Sequence, residues 1–307
     1  MRTQLIAFIA LLIAAVYFPA MATLATQPAN AALPIQNLVA TLTDLGTDDF
    51  YAGALEGSIY SANPSVRIST ITHQIKPFAV AEGSYILAKA ARRYPPGTVF
   101  VGEVDPGSDE DRRFIVLETS DGKLFVGPDN GLFTGVMDDL GLAHAYLITN
   151  KSLMNLEQES ATFRSFYISG PVAARLAAGV RPESVGPEIE DPVRLPTTRP
   201  SVNESMITGT IIHVDGYGNL LTNIPGNMAG AAGLKAGSPL KIKLGNNSFN
   251  ATFAVTYSDV AGGEWLAMNS SEGLLQASRN LENAAATADA SAGEPISFTI
   301  RQISKQP

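Results

Sequence analysis

The stretch IQNLVATLTDLGTDDFYAGALEGSIYSANP (Ile35–Pro64) decides the fold. Its first part, Ile35–Leu45, is an apolar run that reads as a buried strand ending at Asp44. Its second part spaces Tyr51, Leu55, Ile59 and Tyr60 at helical intervals, and Asn63-Pro64 stops the helix. A buried strand feeding a helix is the building unit of a parallel sheet, so the pattern has to recur. It does. VRISTITH (Val66–His73) reads as a second strand, and Ala79–Gly97 as a helix ended by Pro95-Pro96-Gly97. TVFVGEVD (Thr98–Asp105) is a third strand, again ending on an aspartate. Arg112–Gly131 gives two strands joined at an Asp121-Gly122 turn, and Leu132–Gly141 a helix-like segment. The alternation predicts an N-terminal α/β sandwich domain with a mostly parallel sheet, spanning 32–181. In such sheets ligands lie beyond the carboxyl ends of the strands, where Asp44 and Asp105 stand.

Beyond this domain the texture changes. Pro182–Ser205 is rich in proline, serine and acid without periodicity, and reads as a linker over 182–205. From Met206 onward short strands alternate with turn residues, which predicts a C-terminal all-β domain over 206–307, barrel-like or a sandwich. Gln276–Gly293, polar and alanine-rich, reads as a surface loop or short helix.

The chain has 307 residues, 45% hydrophobic and 16% charged, enough for two ordinary domains with real cores. Its net charge of −8 argues against binding nucleic acid. The absence of cysteine excludes disulfides and thiol nucleophiles. Arg2, an apolar run from Leu5 to Phe18, and the small-residue sites Ala20-Met-Ala22 and Ala29-Asn-Ala31 form a secretory signal pattern over 1–31. This implies a periplasmic or secreted protein with no membrane attachment after cleavage. An uncleaved N-terminal anchor is the alternative.

No metal-ligand spacing is present, and His73, His144 and His213 are scattered. Polar turns at strand ends stand out instead: 43–53, 104–113, 127–133, 214–224 and 268–273. Each taken alone is ordinary turn chemistry, and an aspartate at a strand-to-helix junction is often only a helix cap. Asp44 and Asp49, however, bracket a glycine turn that opens a helix, a place suited to gripping ribose hydroxyls and an ammonium group.

Taken in order, TDLGTDDFYAG, FVGEVDPG…RR, FVGPDNGLF, GPVAARLAAG, VDGYGNLLTNI and NSSEG resemble the S-adenosyl-L-methionine (SAM) hydroxide adenosyltransferases, relatives of the fluorinase and chlorinase. The resemblance runs from about Ile35 to Arg301. It implies a homotrimer, with SAM between one subunit's N-terminal domain and its neighbour's C-terminal domain and no further cofactor. It implies that Asp44 holds the ribose diol, that Asp49, Asp215 and Ser270 bind the methionine part, and that Tyr217 and Asn219 line the adenine pocket. Phe78 would pack near the ribose and sulfonium. Asp105 and Arg112 would match the aspartate and arginine that act on water as it displaces methionine from the ribose C5′, giving adenosine. Asp109, Glu110 and Asp111, between them, read as solvated turn residues.

The chain departs from the family pattern at one place. The histidine of the hydrolytic branch is Arg164 here, and the following position is Ser165, where the fluorinase has a serine that contacts fluoride. Arginine does not serve as a general base at ordinary pH, so the catalytic role left to Arg164 is to fix a hydroxide or to pair with Asp105 and lower that carboxylate's pKa. Asp105, by contrast, opposes a halide, and the fluorinase has tyrosine there. Three readings therefore stand: a SAM hydrolase, an exported protein that binds SAM or adenosine without turnover, and, third, a SAM-dependent halogenase.

Overall fold

The structure is a computed structural model and describes residues 36–105, 112–156, 160, 162–203 and 205–300. The predicted signal segment and the acids Asp109–Asp111 lie outside these residues. No helix among the described residues is long and apolar enough to cross a membrane.

The N-terminal half runs β1 (Leu38–Thr43), α1 (Tyr51–Ala62), β2 (Arg67–Thr72), α2 (Val80–Ala91), β3 (Val99–Glu103), β4 (Phe114–Thr119), β5 (Leu124–Pro128), α3 (Thr134–Leu140), β6 (Leu142–Leu147) and α4 (Ser169–Ala177). The strands form one sheet in the order β2-β1-β3-β5-β4-β6. β1 is parallel to β2 and β3, and β3 to β5, whereas β4 is antiparallel to both of its neighbours. The sheet is therefore mixed, with its parallel part where the strand–helix alternation is regular.

Side-chain alternation sends the strands' apolar residues to two faces. Val39, Val99, Val101 and Val126 pack with Leu55 and Ile59 of α1 and Val172 and Ala173 of α4. Ala40, Leu42, Phe100 and Phe125 pack on the other face with Leu87 of α2 and Val136 and Met137 of α3. Phe100 and Phe125 stack with ring centroids 4.5 Å apart. Truncating a fully buried residue here, such as Leu55→Ala, is expected to cost ~2–5 kcal/mol. Two glycines let β3 and β5 approach: a Cβ on Gly127 would stand 2.1 Å from the Gly102 carbonyl oxygen.

The segment 182–205 is pinned rather than loose. Leu147 N–H donates to Pro187 O and Ile189 N–H to Ala145 O, continuing the β6 edge. Farther along, Val193 N–H donates to Asp129 and Leu195 N–H to Thr134. It ends in β7 (Ser201–Val202), which pairs with β8 (Met206–Val214).

The C-terminal half continues with β9 (Leu220–Pro225), α5 (Gly226–Ala231), β10 (Pro239–Leu244), β11 (Asn247–Phe253), β12 (Trp265–Asn269), β13 (Leu274–Arg279), α6 (Ala284–Ala288) and β14 (Pro295–Ile300). The sheet order is β14-β10-β11-β12-β13-β9-β8-β7, and β14 also pairs with β8, closing a barrel around Ile207, Ile211, Ile242 and Phe298. Closure removes the free edges a sandwich would keep. The expectation of a loop or short helix over Gln276–Gly293 is half right. Ala284–Ala288 is helical, but Gln276–Arg279 belongs to β13, whose Leu275 and Ala277 point into the core. Pairing with β9 and β12 decides that strand, against a local composition poor in β-branched residues.

Candidate active site

Asp44 is the first residue beyond β1, and its N–H donates to the Glu103 carbonyl at the end of β3. Its side chain does not cap α1, whose N-cap is Phe50 without a side-chain bond. Instead, Asp44 Oδ2 accepts from the Phe78 N–H at 2.8 Å. Phe78 precedes α2 with φ +70°, a left-handed conformation that costs a non-glycine residue, and its ring is 64% exposed. Burial pushes the Asp44 carboxyl above the usual aspartate range, against the pull of the N–H groups around it. Asp49, exposed on the following turn, accepts from the Phe50 N–H at 2.6 Å.

The pair Arg112-Arg113 divides its work. Arg113 ties Asp129 at 2.5 Å and Asp191 at 3.1 Å, fastening the 182–205 segment to β5. Arg112 makes an ion pair with Asp105, across the Pro106–Asp111 interval. Arg164, in a 3-10 turn that packs on α1 and α4, sets its guanidinium 5.2 Å from the Phe114 ring centroid. Ser165 beside it is fully buried, and its hydroxyl has no partner among the described residues.

Three of these groups, Asp44, Arg112 and Arg164, act electrostatically on Glu103, which lies outside the residues expected from sequence. Glu103 is buried, and its Oε2 has no hydrogen-bond partner among the described residues. Burial, then the negative charge of Asp44, push its carboxyl up to about 8, with Arg112 and Arg164 pulling the other way. Arg112 in turn is lowered by burial and by Arg164, and supported by Glu103. Asp44, Glu103, Arg112 and Arg164 thus share one electrostatic neighbourhood at the carboxyl ends of β1 and β3, with Asp105 joined through Arg112. The signal available in the sequence is a glutamate closing the otherwise apolar, buried strand VFVGE.

Two further features escape a reading of the sequence. His73, buried at the end of β2, shares a 2.8 Å hydrogen bond with Thr43, and burial lowers its affinity for a proton. Tyr51 stacks on Phe163 at 4.2 Å, and Phe163 on Phe166 at 5.5 Å, a ladder of rings leading to Arg164. Phe163 also holds a left-handed φ of +53°.

The remaining expected residues sit on the barrel. Asp215, Tyr217 and Asn219 occupy the β8–β9 turn. Asp215 Oδ1 accepts from the N–H groups of Tyr217 and Asn219, and Oδ2 from the Asn219 amide, each within 2.9 Å. Gly218 takes φ +84° in this turn, a conformation that favours glycine. The turn presents the Tyr217 ring to solvent, 84% exposed, while Asn219 is buried. Ser270, in the β12–β13 turn, accepts from Leu274 N–H with its hydroxyl at 3.3 Å. The structure therefore carries Asp44, Asp49, Phe78, Asp105, Arg112, Arg164 and Ser165 in the α/β half and Asp215, Tyr217, Asn219 and Ser270 on barrel turns.

Residues 39–186 match the model of the SAM hydroxide adenosyltransferase N-terminal domain, and residues 209–297 that of its C-terminal domain. The chain belongs to the SAM hydroxide adenosyltransferase family. Among curated relatives, an (R)-S-adenosyl-L-methionine hydrolase of Salinispora tropica is 33% identical over 260 residues, covering 84% of this chain and 95% of the relative. One from Methanocaldococcus jannaschii is 30% identical over 263 residues, covering 81% and 91%. A fluorinase of an Actinoplanes species is 28% identical over 301 residues, covering 89% and 99%. A crystal structure of an uncharacterized conserved protein from Thermotoga maritima superposes with a TM-score of 0.80 at 34% identity, over 85% of this chain and 99% of that one. The family processes SAM, and the relatives named above are SAM hydrolases and a fluorinase.

Proposed function

We propose that this adenosyltransferase homologue hydrolyses SAM to adenosine and L-methionine. The observation that carries the reading is the Asp105–Arg112 ion pair standing within the charge cluster that also contains Asp44. SAM brings its own leaving group, because sulfonium departs as a neutral thioether. The protein has to align a water about 3–3.5 Å from C5′, opposite the sulfur, and polarise it. Arg112 supplies fixed positive charge near the developing hydroxide, and Asp105 orients the water by accepting a hydrogen bond. Asp44, already aimed inward by the Phe78 N–H, takes the ribose diol. Asp49, Asp215 and Ser270 hold the methionine part. Tyr217 and Asn219 flank the adenine, and Phe78 and Ser165 line the reacting end. The hydrolases among the relatives support this reading. A carboxylate at position 105 disfavours a halide by charge repulsion, which sets halogenation behind.

Because Asp44 and the barrel turns lie on different halves of the chain, we propose that a neighbouring copy completes the site in a homotrimer. The secretory pattern at the N-terminus supports export to the periplasm or medium. Arg164 favours one competing reading, binding of SAM or adenosine without turnover, since it takes the place of a proton-accepting histidine. Incubating purified protein with SAM, with and without chloride or fluoride, and identifying products by mass spectrometry separates the three. Adenosine and methionine support hydrolysis. A 5′-halogenated nucleoside supports halogenation. Unchanged SAM with tight binding supports the binding protein.

A further inference from the structure

We propose that Glu103 is the proton acceptor of the reaction, doing the work that no side chain at position 164 performs in this chain. The inference rests on the hydrolase reading above and adds a residue to it. Glu103 shares the sheet face of Val99 and Val101, the face covered by α1 and α4, and its register partner on β1 is Thr43. It is the last residue of β3, two before Asp105, and its carboxyl lies within electrostatic reach of Arg112, the partner of Asp105, and of Arg164. An ordinary structural glutamate in such a place has both oxygens bonded, because an orphaned buried oxygen is costly. Oε2 of Glu103 is buried without a partner among the described residues. Thr41, Ser165 and Ser169 likewise hold buried hydroxyls without partners among the described residues. Unpaired buried polar groups suit a site that receives a polar ligand, and SAM with its attacking water is one.

The charged groups facing Glu103 define how it acts. Asp44, beyond β1, favours the protonated acid, while Arg112, ahead of β4, and Arg164, from the 3-10 turn, favour the carboxylate. In the free protein the acid form prevails up to about pH 8. SAM adds a permanent positive charge at sulfur, which tips the balance towards the carboxylate and expels a proton. The ionised Glu103 then faces the water that Asp105 and Arg112 hold. Asp105 already has its charge matched by Arg112 and serves to orient. In the step itself a lone pair of the water oxygen forms the bond to C5′. The C5′–S bond breaks with its electron pair passing to sulfur, giving the thioether of methionine. One water proton passes to Glu103, and the other remains as the 5′-hydroxyl of adenosine. No oxidant, reductant or further reactant is needed.

The test uses purified protein and SAM, with Glu103→Gln and Glu103→Asp as variants. Single-turnover adenosine formation by the wild type should rise with pH and level off at or below about pH 8. Glu103→Gln should slow it by ~10²–10⁴, the usual share of a general base, and abolish the pH step. Glu103→Asp, which keeps a carboxyl, should retain the step at a reduced rate. Calorimetry in two buffers of different ionisation enthalpy at pH 7 should show the wild type releasing close to one proton on binding SAM, and Glu103→Gln releasing none. A Glu103→Gln variant within threefold of the wild type with the same pH step overturns the assignment while leaving hydrolysis intact. Should the variants fail to fold, absence of proton release by the wild type overturns it alone. Wild type that binds SAM but forms no adenosine overturns both readings together.

Discussion

Asp44 Oδ2 accepts a hydrogen bond from the Phe78 N–H at 2.8 Å, joining the turn after β1 to the turn that leads into α2. That bond fixes both partners. It points the carboxylate at the approach to α2 rather than at α1, whose N-cap is Phe50, and it holds Phe78 in a left-handed conformation with its ring outward. Backbone strain of this kind costs ~1–3 kcal/mol and persists only where surrounding structure imposes it. In the proposed hydrolase the strain serves to present a carboxylate and an aromatic ring to the same ligand.

Replacing Asp44 with alanine should therefore affect binding before stability. Two charge-assisted hydrogen bonds to a ribose diol, at ~1.5–3 kcal/mol each, correspond to a loss of SAM affinity of two orders of magnitude or more. Calorimetric titration checks this. Unchanged affinity in a folded Asp44→Ala protein would remove Asp44 from the site.

Glu103 should give folding a distinctive pH dependence. Its carboxyl titrates near the ordinary 4.5 in the unfolded chain and at about 8 when folded. Between those values the folded state holds a proton that the unfolded state has released. The contribution is thus full below about pH 4.5, declines as pH rises, and is gone above about pH 8. Denaturant unfolding at pH 5 and pH 8.5 should show the wild type losing on the order of a few kcal/mol more than Glu103→Gln across that interval. Equal pH dependence of the two proteins would contradict the burial of an acid there.

Much of this architecture is legible in the sequence, because apolar periodicity is strong where elements are buried on both faces. β1, α1 and β3 are readable for that reason, and Asp44 and Asp105 stand out as acids at strand ends. β13 is not, since Leu274–Arg279 owes its conformation to β9 and β12 rather than to its own composition. Glu103 is hidden because its significance lies in what surrounds it. Arg112 and Arg164 are distant in sequence from Asp44, and only the fold brings their charges together. The division of labour between Arg112 and Arg113 is equally invisible, as adjacent identical residues differ only in the partners they reach.

Arg164→His tests whether the departure from the family pattern limits the rate. With Glu103 as acceptor, a histidine at 164 adds a second base but removes a cation that favours the Glu103 carboxylate. Single-turnover rates should rise by less than about tenfold, the residual share left to a second general base, and the pH step should move upward. A larger gain with the step unmoved would make histidine, not Glu103, the group that matters.

Assembly should follow from the division of the site between the two halves of the chain. Light scattering of purified protein should give the mass of a trimer, and mixing Asp44→Ala with Asn219→Ala chains should restore part of the activity through mixed trimers. A monomer mass in the presence of SAM would contradict a shared site.

Hydrolysis supported by the Asp105–Arg112 pair is tested most directly by single-turnover release of adenosine from SAM by the wild type and Asp105→Asn. The wild type should release adenosine well above the rate of spontaneous SAM decay. Asp105→Asn should be slower by ~10²-fold or more with SAM affinity changed far less, the mark of an interaction made in the transition state. Release by the wild type no faster than spontaneous decay, or equal rates for the two proteins, would contradict hydrolysis by this pair.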